Sequence, residues 1–173
     1  AATQCKPSPS CEACPMQSIC SAFELGKVND FPVKTKRLKK RTRYFNYLVL
    51  LSTTGAVAIQ KRTAKDIWQG LYEFPLLESD QLVKTEPGLR QAEGWEQIAW
   101  GGPPEIVNKR GPYKQTLSHQ YIVGTFWELQ LPGVSTFSSS DDWIWVDREN
   151  LSTFAVPKII HWYLEDKSLY LNL

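Results

Sequence analysis

The strongest signal for the fold is the stretch Gly70-Leu71-Tyr72-Glu73-Phe74-Pro75, which opens an extended segment predicted over residues 71–77. A loop through Ile67 and Trp68 leads into this segment. Glycine and proline interrupt regular structure, so the glycine that begins the stretch is typical of a turn before a strand. The stretch therefore predicts a strand that follows a loop, with further strands on both sides of it.

The residues upstream of this stretch predict a hairpin. Residues 44–52 are rich in aromatic and long apolar side chains, which favour a strand. Thr53-Thr54-Gly55 has the composition of a tight turn. Residues 56–62 then alternate apolar and polar side chains, as a second strand does.

The residues downstream predict helices and strands in alternation. We expect a helix within residues 79–100, interrupted near Pro87-Gly88. A last helix over residues 157–166 begins at a proline, which suits a first helical turn, and carries apolar side chains at helical spacing. Further strands are predicted over residues 105–109, 120–131 and 143–146. The pattern predicts an α+β fold, a mixed β-sheet with flanking helices.

Length and composition limit the class of protein. The 173 residues suffice for one domain with a hydrophobic core and a small appendage. Hydrophobic residues make up 42% and charged residues 22%, which is typical of a soluble globular protein. The longest apolar candidate, residues 47–51, is far shorter than the ~18 residues of a membrane span. With no signal-peptide pattern at the N-terminus, we expect a cytoplasmic protein without a membrane partner.

The four cysteines are confined to one end of the chain. They are Cys5, Cys11, Cys14 and Cys20, spaced as Cys-x5-Cys-x2-Cys-x5-Cys. A secreted protein held by disulfides spreads its cysteines through the fold, so clustering indicates a local metal site in a reducing compartment. One short hook between two longer spacers favours an iron–sulfur cluster wrapped by one loop. A zinc site and free thiols remain alternatives.

The cationic residues are concentrated after this loop. Seven of the ten residues from 34 to 43 are basic: Lys34, Lys36, Arg37, Lys39, Lys40, Arg41 and Arg43. Such a run is either a solubilising linker or a segment that follows the phosphates of a nucleic acid. The chain thus divides into a cysteine loop at 1–25, a basic linker at 26–43 and a domain at 44–173.

Residues 44–173 resemble the Nudix fold of the MutT nucleotide hydrolases. The resemblance rests on Ile59-Gln60-Lys61-Arg62, on the stretch at 70–75, on Trp145-Val146-Asp147 and on residues 151–157. An active Nudix hydrolase carries a helix with several glutamates that bind magnesium. In this chain the nearest match is Arg90-Gln91-Ala92-Glu93, with glutamine in place of the first glutamate. We therefore expect the fold without the hydrolase chemistry.

The cysteine loop resembles the [4Fe–4S] loop of adenine DNA glycosylases of the MutY family, including Cys14-Pro15 and the following Ala22. The first spacer is one residue shorter than is common in bacterial members. Loop, linker and Nudix-like domain together resemble the C-terminal part of that bacterial family. The resemblance implies a cytoplasmic, nucleoid-associated DNA-repair enzyme, which removes adenine opposite 8-oxoguanine or guanine. It implies a structural [4Fe–4S] cluster, an upstream catalytic domain as partner, and no catalytic residue within this chain, which we expect to be inactive alone.

The same family reads 8-oxoguanine in duplex DNA with a Phe-Ser-His motif on a hairpin. Thr116-Leu117-Ser118-His119 resembles it, with leucine in the phenylalanine place. Oxidation at C8 turns N7 of guanine from an acceptor into an N–H donor and adds a carbonyl oxygen. One serine hydroxyl can accept from that N–H and donate to that oxygen. Nearby Lys109, Arg110 and Lys114 form a predicted basic rim for phosphates.

Two other functions remain open from the sequence. One is an active Nudix pyrophosphohydrolase, for which magnesium-dependent release of phosphate from an oxidised nucleotide would be decisive. The other is a metal-loop interaction module without a DNA role, which would bind lesion and plain duplexes equally and without salt dependence.

Overall fold

A computed structural model describes residues 5, 8–31, 39–98, 103–132 and 143–166. The chain forms two compact units, residues 1–39 and residues 40–173. The first strand of the larger unit begins at Arg41, three residues before its predicted start. Within the described ranges, no helix is both long and apolar enough to cross a bilayer.

The described residues of the smaller unit form short helical turns. They are three 3-10 helices, Cys11–Ala13, Gln17–Ile19 and Val28–Asp30, and the helix α1, Ser21–Glu24. None of these four elements contains a buried residue. The backbone amides of Cys14 and Cys20 donate to carbonyls three residues earlier, at 3.1 and 3.2 Å. Local backbone hydrogen bonds, and not apolar burial, therefore shape the described part of this unit.

The larger unit is built on one mixed sheet. Its described strands are β1 (Arg41–Leu51), β2 (Val57–Lys61), β3 (Tyr72–Glu73), β4 (Leu76–Ser79), β5 (Glu105–Thr116), β6 (Gln120–Gln130) and β7 (Trp143–Val146). The order along the sheet is β3-β2-β1-β6-β5, with β4 paired to β1 and β7 paired to β2. β1 and β6 are parallel over eleven residue pairs, and the other pairs are antiparallel. This confirms the predicted mixed sheet.

The stretch at 70–75 changes strand partner at its end. Gly70 has φ +84°, a left-handed conformation that glycine adopts without steric cost, and β3 follows it. β3 pairs with β2, whereas β4 pairs with β1. Between them Pro75 has no N–H to donate, but its carbonyl accepts from the amide of Leu48 at 2.8 Å. The predicted single strand over 71–77 is therefore two short strands.

The helices differ in part from the prediction. α2 covers only Glu86–Arg90, followed by a 3-10 helix at Trp95–Gln97, so the prediction of helix within residues 79–100 is confirmed only in part. Pro87 starts α2 instead of interrupting it, since its missing N–H is not needed in the first turn. The last helix, α3 (Lys158–Glu165), confirms the prediction and has Pro157 at its N-cap.

The β5–β6 hairpin is longer than the sequence predicts. β5 continues to Thr116 instead of ending near residue 109. Its pairing with β6 has two irregularities, one between Ile106 and Asn108 and one between Arg110 and Tyr113, and the second spans the Gly111-Pro112 pair. Such bulges let a strand continue past residues that do not fit a regular ladder.

Apolar side chains fill both faces of the sheet. The core on one face packs α3 against the sheet, with Tyr47, Phe126, Ile159 and Tyr163 buried in it. We call it the α3-side core. The core on the other face contains Leu48, Leu50, Leu89, Trp95 and Trp127. Because the hairpin strands lie in the same sheet, their tip is held by a rigid base.

Candidate functional site

The tip of the β5–β6 hairpin presents two polar side chains to solvent. Ser118 and His119 are exposed. The backbone closes behind them, where the amide of Leu117 donates to the carbonyl of Gln120 at 2.9 Å. The side chain of Leu117 is half-buried and packs against the α3-side core. The tip is therefore anchored by an apolar residue, with its hydroxyl and imidazole groups free to meet a ligand.

Cationic groups surround the tip on the strand side. The ammonium of Lys40 donates to the carbonyl of Leu117 at 2.7 Å. The same ammonium lies 5.3 Å from the ring centroid of Tyr121, and the ammonium of Lys114 lies 4.5 Å from that centroid. Arg41 donates to the side-chain oxygen of Gln120 at 3.4 Å. Three of the predicted phosphate-binding residues thus contact residues that lie within three positions of Ser118 in the hairpin.

The other predicted cations lie elsewhere. Lys34, Lys36 and Arg37 fall outside the described residues, and Lys39 is exposed. The ammonium of Lys109 donates to the carbonyl of Lys84 at 2.6 Å and lies 4.9 Å from the ring of Trp127. Arg110 forms an ion pair with Glu128 at 3.2 Å, where both side chains are nearly buried. The structure gives Lys109 and Arg110 partners within the fold, six or more residues from the tip.

Arg43 also belongs to the interior. Its side chain is 9% exposed and pairs with Asp66 at 2.8 Å and with Glu78. The hydrogen bond with Glu78 raises the pKa of Arg43, against the effect of burial. Burial tends to raise the pKa of Asp66, but the backbone of Ile67 and the side chain of Arg43 hold it below its usual value. A guanidinium so engaged is not available to phosphate.

The carboxylates beside the Gly70–Pro75 stretch are likewise paired with arginine. Glu73 is 4% exposed and receives two hydrogen bonds of 2.7 Å from one nitrogen of Arg62. Burial raises the pKa of Glu73, and Arg62 partly offsets that rise. In the described part of the chain, no group of three or more Asp, Glu, His or Cys side chains has the geometry to hold a metal ion. The carboxylates here form ion pairs within the fold.

The four cysteines lie near one another, but their described positions do not form a metal-binding site. Burial raises the pKa of the Cys11 thiol, and the nearby thiols of Cys14, Cys20 and Cys5 raise it further. All four thiols are free, and Cys5 is exposed. Four thiols in one neighbourhood match the donor set of an iron–sulfur or zinc site. The residues therefore fit such a group by type, while their described positions do not enclose it.

Sequence reasoning missed two features of the tip. Tyr121 lies between two lysine ammoniums, and the Lys40–Leu117 hydrogen bond joins residues 77 apart. Strand pairing would have placed Tyr121 opposite Thr116, next to the motif, once the hairpin register was known. The partner of Lys40 has no signal in the sequence, because β1 and β6 are parallel and distant along the chain.

Comparison with known proteins agrees with this architecture. The profile of the NUDIX domain family matches residues 46–166. The chain is similar to the adenine DNA glycosylase of Buchnera aphidicola subsp. Baizongia pistaciae (strain Bp), with 25% identity over 157 residues. The matched region is 88% of this chain but 40% of that relative, so the chain spans about two fifths of the relative's length.

Two solved structures share the fold. The MutT protein of Methanosarcina mazei Go1 has a TM-score of 0.57 and 15% identity, covering 79% of this chain and 99% of that one. The C-terminal domain of mouse MUTYH, solved in complex with human PCNA, has a TM-score of 0.51 and 19% identity. That likeness covers 74% of this chain and 91% of the other. At such identities the likeness establishes the fold alone.

Proposed function

The chain belongs to the NUDIX domain family, and on that premise we propose that it is the lesion-reading part of an adenine DNA glycosylase in base-excision repair. The similarity to the Buchnera aphidicola glycosylase over 88% of this chain supports the proposal. The observation that carries it is the exposed Ser118 at the tip of a hairpin anchored in the sheet. The target is duplex DNA with 8-oxoguanine opposite adenine.

The hydroxyl of Ser118 is suited to tell 8-oxoguanine from guanine. A hydroxyl accepts and donates at once, and the oxidised base offers an N7–H donor beside an O8 acceptor. Guanine has only an acceptor at N7, so a serine that meets both groups favours the oxidised base. His119 lies next to it in the exposed tip, where it can contact the same base or its phosphate. Thr116 and Leu117 hold the tip in place.

The cations near the tip are proposed to contact the lesion strand. Arg41, the first residue of β1, contacts Gln120, and Lys114, near the end of β5, contacts Tyr121, so both lie beside the motif. We assign the exposed Lys39 and the cations at 34–37 to contacts with the phosphates of the same DNA strand. Lysine and arginine contacts of this kind supply affinity that falls steeply with salt but carries no base specificity.

The ion pairs formed by the carboxylates support a role in lesion recognition and not in nucleotide hydrolysis. Glu73 is bonded to Arg62, and Asp66 and Glu78 are bonded to Arg43. A nucleotide hydrolase of this fold needs carboxylates free to bind magnesium. Magnesium-dependent hydrolysis of 8-oxo-dGTP by this chain would contradict the proposal.

Replacing Ser118 with alanine is expected to reduce the preference for lesion DNA. The preference is the ratio of affinities for 8-oxoguanine–adenine and guanine–adenine duplexes, measured by fluorescence anisotropy at fixed salt. Loss of a paired contact of this kind should lower that ratio by a factor that corresponds to ~1–3 kcal/mol of binding free energy. The salt dependence should stay the same, because no phosphate contact is removed. Ser152→Ala, at another exposed serine, is the matched control; an equal change in both variants would contradict the proposal.

We assign the four cysteines to a structural [4Fe–4S] cluster, on the basis of the donor set. Its role would be to fix the fold of the loop, as metal binding does in small domains. We also propose a protein partner, the catalytic domain of the same glycosylase. That domain would belong to the part of such an enzyme that this chain does not span. Five exposed large apolar side chains of the smaller unit support a docking partner: Met16, Ile19, Phe23, Leu25 and Phe31.

Anaerobically prepared protein is expected to contain about four iron and four sulfide per chain. Cys14→Ser should lower both contents together, because one ligand of the cluster is lost. The measurement is metal analysis by mass spectrometry with colorimetric sulfide determination, and Ser10→Ala is the matched control within the loop. Zinc without sulfide would replace the iron–sulfur assignment with the alternative of a zinc site.

A further inference from the structure

The hydrogen bond from Lys40 to Leu117 ties the start of the larger unit to the hairpin tip. Its donor–acceptor distance is 2.7 Å, and the two residues are 77 apart in sequence. Lys40 immediately precedes β1, and Leu117 is the first residue after β5. The bond therefore connects a residue of the basic run directly to the motif that contains Ser118.

The ring of Tyr121 lies beside the ammonium groups of Lys40 and Lys114. Its centroid lies 5.3 Å from the ammonium of Lys40 and 4.5 Å from that of Lys114, both within the range of a cation–π interaction. Tyr121 is paired with Thr116 across the hairpin, so it flanks the tip on the β6 side. The ring thus holds both lysine side chains against the hairpin while their charges remain near solvent.

The hairpin tip makes few other contacts with the described part of the chain. The amide of Leu117 donates to Gln120 at 2.9 Å, and its side chain packs on the α3-side core. Ser118 and His119 are exposed. Loops with few buried contacts open locally at low cost, so a single added hydrogen bond changes how often the tip is ordered.

We propose that Lys40 is a positioning residue, which together with Tyr121 holds the hairpin tip in the conformation that presents Ser118. The effect on DNA rests on the function proposed above, whereas the effect on the tip itself does not. Binding that requires an ordered tip is weakened in proportion to the loss of that order. Lys40 therefore contributes to base preference, and not only to the charge that attracts phosphate.

The test compares Lys40→Met with Lys39→Met, which removes the same charge one residue earlier. Amide hydrogen exchange of Leu117 is followed by NMR in the protein without DNA, with the amide of Leu48 in the centre of the sheet as an internal reference. Lys40→Met is expected to speed exchange at Leu117 by roughly two- to tenfold, the range for one net hydrogen bond. Lys39→Met should leave it unchanged, and Lys40→Arg, which keeps a donor, should restore most of the protection.

Lesion preference is measured on the same variants. It should fall by a similar factor in Lys40→Met and stay at the parent value in Lys39→Met, while both lose some salt-dependent affinity. Equal exchange at Leu117 in the two methionine variants would overturn the positioning role of Lys40. Faster exchange in Lys40→Met, combined with no lesion preference in the parent chain, would support the role of Lys40 and overturn the proposed function.

Discussion

Replacing Arg62 with methionine is expected to destabilise the larger unit by about 3–5 kcal/mol, because the Glu73 carboxylate would be left buried without its partner. The side chains of Arg62 and Glu73 are 8% and 4% exposed. Arg62 also donates to the carbonyl of Ile67 at 3.1 Å, so the same change frees the loop before Gly70. The free energy of unfolding is measured by urea denaturation at neutral pH.

The pH dependence of this variant identifies the cause. Burial raises the pKa of Glu73 in the folded protein above its ordinary value of 4.5, and Arg62 opposes that rise. Without Arg62 the folded pKa rises further. A carboxyl whose folded pKa exceeds its unfolded pKa costs stability when ionised, so stability falls as pH rises from the unfolded value through the folded one. The loss in Arg62→Met should therefore shrink on acidification toward the unfolded pKa of glutamate.

The matched control is the double variant Arg62→Met with Glu73→Gln, which removes the uncompensated charge. It should recover much of the lost stability at neutral pH and lose the acid rescue. A single variant whose loss is the same at neutral and acid pH would show that Glu73 is not the source of the destabilisation.

Replacing Phe126 with alanine is expected to cost the larger unit about 3–5 kcal/mol, through lost burial and the cavity that remains. Phe126 is fully buried in β6. Its ring stacks on Tyr163 of α3 at 4.3 Å between centroids and on Tyr47 of β1 at 4.9 Å. It therefore joins the sheet to its covering helix.

The measurement is again urea denaturation, followed by tyrosine and tryptophan fluorescence. Phe31→Ala is the control, because Phe31 is 51% exposed and lies in the smaller unit. That variant should leave unfolding of the larger unit unchanged. A loss of less than about 1 kcal/mol in Phe126→Ala would mean that the α3-side core collapses around the cavity.

The strands were predictable where burial and alternation agree. Of the predicted strand over residues 44–52, residues 44–51 lie in the central strand β1, and residues 143–146 form β7 as predicted. The predicted interruption of the helix near Pro87-Gly88 was wrong, because local composition did not show that Thr85 caps a short helix with Pro87 in its first turn. The strand predicted over residues 105–109 was too short, because β5 continues past Gly111-Pro112, where its pairing with β6 has a bulge. Local composition cannot show that a neighbouring strand keeps an irregular segment in the sheet.

The sequence motif identified the residues of the candidate site, but the sequence did not predict which residues they or the nearby cations contact. Ser118 and His119 were found through the resemblance of their motif to that of a known family, and both are exposed. Arg43 and Arg110 were grouped with the phosphate-binding cations because charge is visible in the sequence. Their acidic partners lie 23 to 35 residues away for Arg43 and 18 residues away for Arg110. Such partners become visible only when the sheet brings distant strands together.

The parallel pairing of β1 with β6 has a mechanical consequence. Arg41 is the partner of Gln120, so the polypeptide enters β1 beside the residue at which it leaves the motif. Adjacent strands are about 4.8 Å apart. Whatever is joined to residue 40 is therefore attached close to the hairpin tip, and not at the far end of the sheet. Under the proposed function, a linker joined there would act on the domain next to the hairpin tip.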